Sequence, residues 1–385
     1  MRFPKTYLDL SGERFLVHYH IGARDETEAQ ARARGICLEQ TVEVAEGLLA
    51  DDDLRGQVVG RIEKMVERDR CLFEVVISYA IETTAFELPQ LLNVAFGNTA
   101  MQKDIRVVDL DLPDSLLAHF PGPRFGQVGL RRLLGVYQRP LLCTALKPMG
   151  LGSRQLADMA YQFALGGIDI IKEDHGLTDQ AFAPFDERVA RCAEAVRKAN
   201  AHNNTRSLYI ANITGPADQI VERAHAAKRW GADGVMVAPG LSGWDVIRQL
   251  AADKAWGLPI FSHPAWLGAL VNGEGHGLDH GVTFGQLPRL AGADATIFVN
   301  FGGRFPFTPE DCGAIIRGAT ATMGSYPPIF PVPAGGMTLE HLPEMDRFYG
   351  RDAIFLIAGG LYAHGPNLTD NARRFRSQVE ALAQT

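Results

Sequence analysis

The 385-residue chain is poor in cysteine, has no excess of positive charge and contains no long apolar run. Each shortage excludes a class of protein. Five cysteines, Cys37, Cys71, Cys143, Cys192 and Cys312, are odd in number, scattered, and nowhere spaced Cys-x-x-Cys, so neither a disulfide framework nor a zinc knuckle is indicated. A net charge of −7 with no arginine-rich stripe argues against a nucleic-acid role. No segment approaches the length of a membrane-spanning helix, and Met1-Arg2-Phe3-Pro4-Lys5 lacks the apolar core of a secretory signal. The expectation is a cytoplasmic protein with no membrane and no nucleic-acid partner. A hydrophobic content of 46% beside 22% charged residues is that of a globular chain, long enough for two domains with cores of their own.

What is present is most concentrated in Lys172-Glu173-Asp174-His175, at the end of the apolar stretch Ile168-Asp169-Ile170-Ile171. A lysine beside metal-ligating side chains, at the mouth of a buried strand, points to a metal-assisted active site. Seven comparable runs accompany it: Leu141 to Leu146, Leu208 to Ala211, Gly234 to Val237, Pro259 to Phe261, Ala295 to Val299, Ile329 to Val332 and Ala353 to Ala358. Most are separated by helical patterns, and their unbroken hydrophobicity suits parallel strands covered on both faces. Eight strand-helix units predict a closed (β/α)8 barrel over residues 136–385. Lys147, Lys172, Asp174, His175, Asn212 and His263 all fall at strand ends, on the rim where barrel chemistry sits.

Residues 1–135 read as a separate small α+β domain. Strands are expected at Phe15 to His20 and Leu72 to Ser78, helices at Glu26 to Leu38 and Asp53 to Glu67. The Pro-Gly-Pro turn at Pro121 to Pro123 and a helix Gly129 to Gly135 lead into the barrel.

The strand-end residues resemble the large subunit of ribulose bisphosphate carboxylase, over nearly the whole chain. Thr144-Ala145-Leu146-Lys147-Pro148-Met149-Gly150-Leu151 is similar to the family's first-strand segment, and Lys147 takes the place of its acid/base lysine. Gly167 to His175 resembles the segment whose lysine is carbamylated and joins two carboxylates in holding magnesium. Lys172 and Asp174 match, whereas His175 stands where the family has glutamate. Ala211-Asn212-Ile213-Thr214, Ser262-His263, Ala334-Gly335-Gly336-Met337 and Ala358-Gly359-Gly360 extend the match in order. In the small domain, Glu39 and Asn98 lie in segments like those that reach the partner subunit's active site, which implies a homodimer.

Departures from the family pattern shape the functional expectation. Met149 replaces a second lysine, Pro264 the arginine that grips a second phosphate, Ile297 and Phe298 a sixth-strand histidine, and only Arg304 remains near the place of the carboxylation-loop lysine. The resemblance therefore implies a non-carboxylating, RuBisCO-like enzyme that enolises a sugar carrying one phosphate. Gly335, Gly336, Gly359 and Gly360 would bind that phosphate, aided by the dipole of the helix that follows. Lys147 is the expected base. His263 is expected to contact substrate, and Asn212 to hold Lys172 by a hydrogen bond. His175 is either a metal ligand or a proton shuttle.

The implied cofactor is a divalent metal, magnesium in the family with manganese an alternative. A carbamate on Lys172, an Asp174 oxygen and a His175 nitrogen form a mixed set that suits manganese or zinc better than magnesium, which prefers oxygen. Isomerisation of 5-methylthioribulose 1-phosphate in sulfur salvage is the preferred activity, because the replacements Met149, Pro264 and Phe298 are apolar. His175 counts against a 2,3-diketo-5-methylthiopentyl 1-phosphate enolase. A decarboxylase or hydrolase of 3-oxo-isoapionate 4-phosphate would need a cation at the carboxylate, for which Arg304 is the candidate. A non-enzymatic regulatory protein is the remaining alternative.

Overall fold

The structure, a computed structural model, describes residues 5–49 and 53–384. Its small domain is built on β1 (Arg14–Gly22), β2 (Arg61–Asp69), β3 (Leu72–Ala80) and β4 (Ile105–Asp111). In β1 burial alternates residue by residue, so Phe15, Val17, Tyr19 and Ile21 face the core and the intervening side chains face outward. The helix Glu26–Glu39 starts where the Asp25 side chain accepts from the Glu28 N–H, and it buries Ala29, Ala33, Ile36 and Cys37. These positions agree with the sequence expectation.

The helix expected over Asp53 to Glu67 is not there. Leu54–Val58 makes a single wide turn and Arg61–Asp69 is an edge strand paired only with β3. Ile62 and Met65 are three apart, a spacing that a helix also allows, but most side chains of this strand face solvent. Its dense charge suits an edge that must not pair with another chain.

The second unit contains β5 (Leu141–Leu146), β6 (Ile170–Glu173), β7 (Leu208–Asn212), β8 (Gly234–Val237), β9 (Ile260–Ser262), the short β10 (Gly277–Leu278), β11 (Ala295–Val299), β12 (Phe330–Ala334) and β13 (Ile354–Leu356). All but β10 form one parallel sheet in the order β12-β11-β9-β8-β7-β6-β5-β13, and β12 lies beside β13 to close the ring. Ladder bonds join every other neighbouring pair; Pro331 and Pro333 lack an N–H to offer across the β12–β13 seam. The expected eight-stranded barrel is thus present, each strand within a few residues of its apolar run.

Alternation along each strand sorts side chains into two cores. Ile170, Ile210, Met236, Phe261, Ile297 and Val332 fill the barrel, while Ile171, Tyr209, Val235, Phe298 and Phe355 pack in the outer layer. The linking helix, observed at Gly126–Leu134, sends Leu130 and Leu134 into the inner cluster and so packs with the barrel, not with the small domain. In return β10 leaves the barrel and adds a parallel strand to the small domain beside β4. Buried Asp294 ties the linker to the barrel base, accepting from the N–H groups of Phe125, Gly126 and Ile260.

Candidate active site

Strand alternation decides the fate of the charged run on β6. Lys172 follows Ile170 by two and points into the barrel mouth, whereas Glu173 follows Ile171 and points outward. There Glu173 is fully buried against Arg188 of the helix Phe185–Asn203, at 2.5 Å, and also accepts from the Tyr209 hydroxyl at 2.6 Å and the Asn212 N–H at 2.8 Å. It is a structural carboxylate, turned away from the cavity.

Lys147, Lys172, Asp174, His175 and His263 gather at the C-terminal rim, around a cavity of about 640 Å³. That size suits a small metabolite. Asp174 is the hub. Its Oδ1 lies 2.7 Å from Lys147 Nζ and 3.4 Å from His175 Nδ1. Burial alone would raise this carboxyl, but the hydrogen bond from His175 and the charges of Lys172 and Lys147 outweigh it and hold it well below the usual carboxylate range.

Lys172 is 2% exposed, and burial outweighs the attraction of Asp174 to push its amine below the ordinary lysine value. None of the ion pairs among the described residues includes it. The neutral amine is the form able to combine with carbon dioxide, and this shift moves Lys172 in that direction.

His263 stacks on His175 with ring centroids 4.6 Å apart. Its Nδ1 accepts from the Ala265 N–H at 3.2 Å, which assigns the proton of the neutral ring to Nε2. Burial, with the positive charge of Lys172 beside it, lowers this imidazole well below its ordinary value. His263 is therefore a neutral ring that offers an N–H.

The opposite wall is made of turns. Gly335 and Gly336 follow β12 with φ of +91° and +101°, and the Arg304 side chain packs so closely that a Cβ on Gly336 would lie 2.6 Å from its Cγ. Gly359 and Gly360 follow β13; a Cβ on Gly359 would meet nothing within 4 Å, so that backbone is open to a ligand. The helix expected to add its dipole is only the four residues Gly359–Tyr362, too short for much of one. Tyr362 on that turn accepts from the Lys147 N–H at 3.2 Å and donates to the Ala145 carbonyl at 2.5 Å, locking the turn to the end of β5. Nothing in the sequence pattern singled out this tyrosine.

Three expected residues lie elsewhere. Asn212 does not hold Lys172: its amide donates to the His175 and Leu177 carbonyls at 3.0 and 2.8 Å, shaping the loop that carries Asp174 and His175. Glu39 and Asn98 are hydrogen-bonded to each other at 3.0 Å on the small domain, outside this cavity. Buried Gln40 fixes their spacing by bonding the Asn93 and Val94 carbonyls and the Thr99 N–H and hydroxyl. Of the apolar replacements, Pro264, Ile297 and Phe298 border the cavity, although the Phe298 ring packs outward near Tyr349, and Met149 sits over Gly176 outside the wall. Trp266, Phe305 and Phe307 supply the apolar lining that the sequence reading missed.

Among the described residues no cluster of three or more His, Cys, Asp or Glu side chains is arranged to hold a metal. Asp174 and His175 offer two donors, and a third exists only if Lys172 is carbamylated. The residues fit a divalent cation on that condition, which the buried amine of Lys172 favours.

Residues 126–303 match the catalytic domain of the ribulose bisphosphate carboxylase large chain. The chain is 39% identical over 356 residues to the 5-methylthioribulose-1-phosphate isomerase of Rhodospirillum rubrum, covering 92% of this chain and 93% of that one. It is 33% identical over 374 residues to the 2,3-diketo-5-methylthiopentyl-1-phosphate enolase of Geobacillus thermodenitrificans, covering 93% and 90%. The crystal structure of a Rubisco-like protein from Rhodopseudomonas palustris superposes with a TM-score of 0.85 at 39% identity, covering 97% of this chain and 99% of that one.

Proposed function

The chain belongs to the ribulose bisphosphate carboxylase large-chain family and stands among its RuBisCO-like members, and from that premise we propose that it isomerises a phosphorylated ketose, 5-methylthioribulose 1-phosphate, through an enediolate. The observation that carries the reading is the make-up of one cavity: a charged floor of Lys147, Lys172 and Asp174 beside His175 and His263, glycine turns only after β12 and β13, and a remaining lining that is mostly apolar, with Asn272 and Arg304 its other polar side chains.

Lys147 takes the proton from the carbon beside the substrate carbonyl and returns it to the former carbonyl carbon, while the hydroxyl proton on the first of these carbons passes to the former carbonyl oxygen, so that the carbonyl moves one position along the chain with no net gain or loss of atoms. The Nε2–H of His263 donates to the oxygen on which negative charge develops. Gly335, Gly336, Gly359 and Gly360 hold the phosphate through backbone N–H groups, and Pro264 gives a second phosphate no partner. A divalent cation, magnesium or manganese, held by Asp174, His175 and a carbamate on Lys172, would supply Lewis-acid stabilisation of that same charge. In a homodimer the Glu39–Asn98 pair would close the partner's cavity.

The test is solvent exchange. With 5-methylthioribulose 1-phosphate in deuterated buffer containing bicarbonate and magnesium or manganese, NMR should show deuterium entering the substrate and an isomeric methylthioketose phosphate appearing. Exchange only with the diketo compound would favour the enolase reading instead. Fixation of carbon dioxide onto ribulose 1,5-bisphosphate would overturn both.

A further inference from the structure

We propose that Trp266 sets specificity at the end of the substrate remote from its phosphate, and that it selects an uncharged apolar substituent there, a thioether or an alkyl group. The proposal rests on the reading of the cavity as a sugar-monophosphate site and deepens it.

Trp266 follows β9 by a few residues and lines the cavity, yet 72% of it is open to solvent. Its φ is +73°, in the left-handed region that a bulky side chain rarely adopts. The surroundings enforce that conformation. The Ala265 N–H is held by His263 Nδ1, and the Leu267 N–H donates to the Pro264 carbonyl at 3.0 Å. Gly240 lies against the turn, where a Cβ would come within 2.6 Å of the Ala265 carbonyl and 3.0 Å of Trp266 Cβ. A strained, braced turn that delivers a large aromatic ring to water gains nothing in stability from that ring; such strain is characteristic of sites that hold ligands.

Position identifies what the ring would cover. Going round the barrel, β9 stands apart from the strands that carry the glycine turns, with β11 between it and β12 and both β11 and β12 between it and β13. A ligand anchored at the glycines therefore extends toward Trp266 with its other end. Pro264-Ala265-Trp266-Leu267 carries no charge, and Phe305 and Phe307 line the same cavity. Asn272 and Arg304 are polar side chains that also line the cavity; the indole itself offers a hydroxyl or a phosphate little, whereas it would remove a methylthio or alkyl group from water.

Two ligands that lack the carbonyl and cannot turn over decide the matter by calorimetry: pentitol 1-phosphate and 5-methylthiopentitol 1-phosphate. Wild type should prefer the methylthio compound. Trp266→Gly removes the ring and accepts φ +73° without strain, and it should lower that preference by about tenfold or more. Trp266→Phe should keep most of it. An unchanged preference in Trp266→Gly, or an equal loss of both affinities, would overturn the proposal, as would a shift to monomer in sedimentation, which would assign the ring to a subunit contact. Wild type binding both compounds without preference overturns this inference alone; binding neither overturns the monophosphate reading and takes the inference with it.

Discussion

Lys147→Ala separates catalysis from stability. Lys147 touches Asp174 at 2.7 Å with its side chain 36% exposed, so as an ion pair it is worth about 1 kcal/mol or less. As a general base it should be worth about 10²- to 10⁴-fold in kcat, or roughly 3–5 kcal/mol of barrier. The variant should therefore fold with almost unchanged stability at neutral pH, lose most of kcat, and keep KM close to wild type. Deuterium exchange at the substrate carbon should disappear in parallel. Lys147→Arg sharpens the test, because a guanidinium keeps the charge and can pair with Asp174 yet does not release its proton near neutrality. A base role predicts that it is as inactive as the alanine variant.

The same substitution has a pH signature. Asp174 has a folded pKa below its unfolded one, so its contribution to stability is fully present above the ordinary carboxylate range and is lost as pH falls through the folded value. Removing Lys147 takes away one of the three partners that hold the carboxyl down. The acid limb of the unfolding curve should then begin at higher pH than in wild type. Two results would refute the reasoning: substantial kcat in Lys147→Arg, or exchange that survives in Lys147→Ala and vanishes in His175→Ala. Either would make the lysine an electrostatic partner and an imidazole the base.

Other predictions follow from single contacts. In ¹³C-labelled carbon dioxide with magnesium or manganese, a carbamate signal should appear in wild type and be absent in Lys172→Met; an equal signal in both would remove Lys172 from the metal set. Arg188→Met leaves the buried Glu173 carboxylate without its 2.5 Å partner and should cost about 3–5 kcal/mol in denaturant unfolding, and a change below about 1 kcal/mol would refute the buried-pair assignment. If Glu39 and Asn98 serve the partner's cavity, mixing Glu39→Ala with Lys147→Ala subunits should recover up to about a quarter to a half of wild-type activity as heterodimers form, since only one site per heterodimer is intact. No recovery despite demonstrated exchange of subunits would place both residues in a purely structural role.

The barrel was legible because its strands are buried on both faces, and a run such as Leu141 to Leu146 is then almost wholly apolar, with Thr144 its one polar residue. The rim residues came with it, since Lys147, Lys172, Asp174 and His263 simply stand where such runs end. An edge strand leaves no comparable trace. Arg61–Asp69 buries almost nothing, so its few apolar residues, Ile62, Met65 and Val66, fit a helix as well as a strand, and only pairing with β3 decides. Tyr362 and Trp266 were invisible for another reason: their roles come from a hydroxyl bridging β5 to the turn after β13 and from a backbone angle, neither of which a residue pattern records.

Lys172-Glu173-Asp174-His175 shows where a linear reading of a site must fail and why. Four chemically competent residues in a row invite the conclusion that they act together, but a strand turns successive side chains to opposite faces. Lys172 enters the mouth; Glu173, the second in line, is claimed by Arg188, Tyr209 and the Asn212 backbone. Only past the end of β6 does the chain escape the alternation, and there Asn212 takes over by bonding the carbonyls of His175 and Leu177. The outward Glu173 accepts from the Asn212 N–H, and the Asn212 side chain shapes the loop that presents Asp174 and His175. The carboxylate that never reaches the cavity thus helps to fix the position of the one that does, which makes the Arg188–Glu173 pair part of the scaffold for Asp174 and ties the geometry of the rim to the packing of the outer layer.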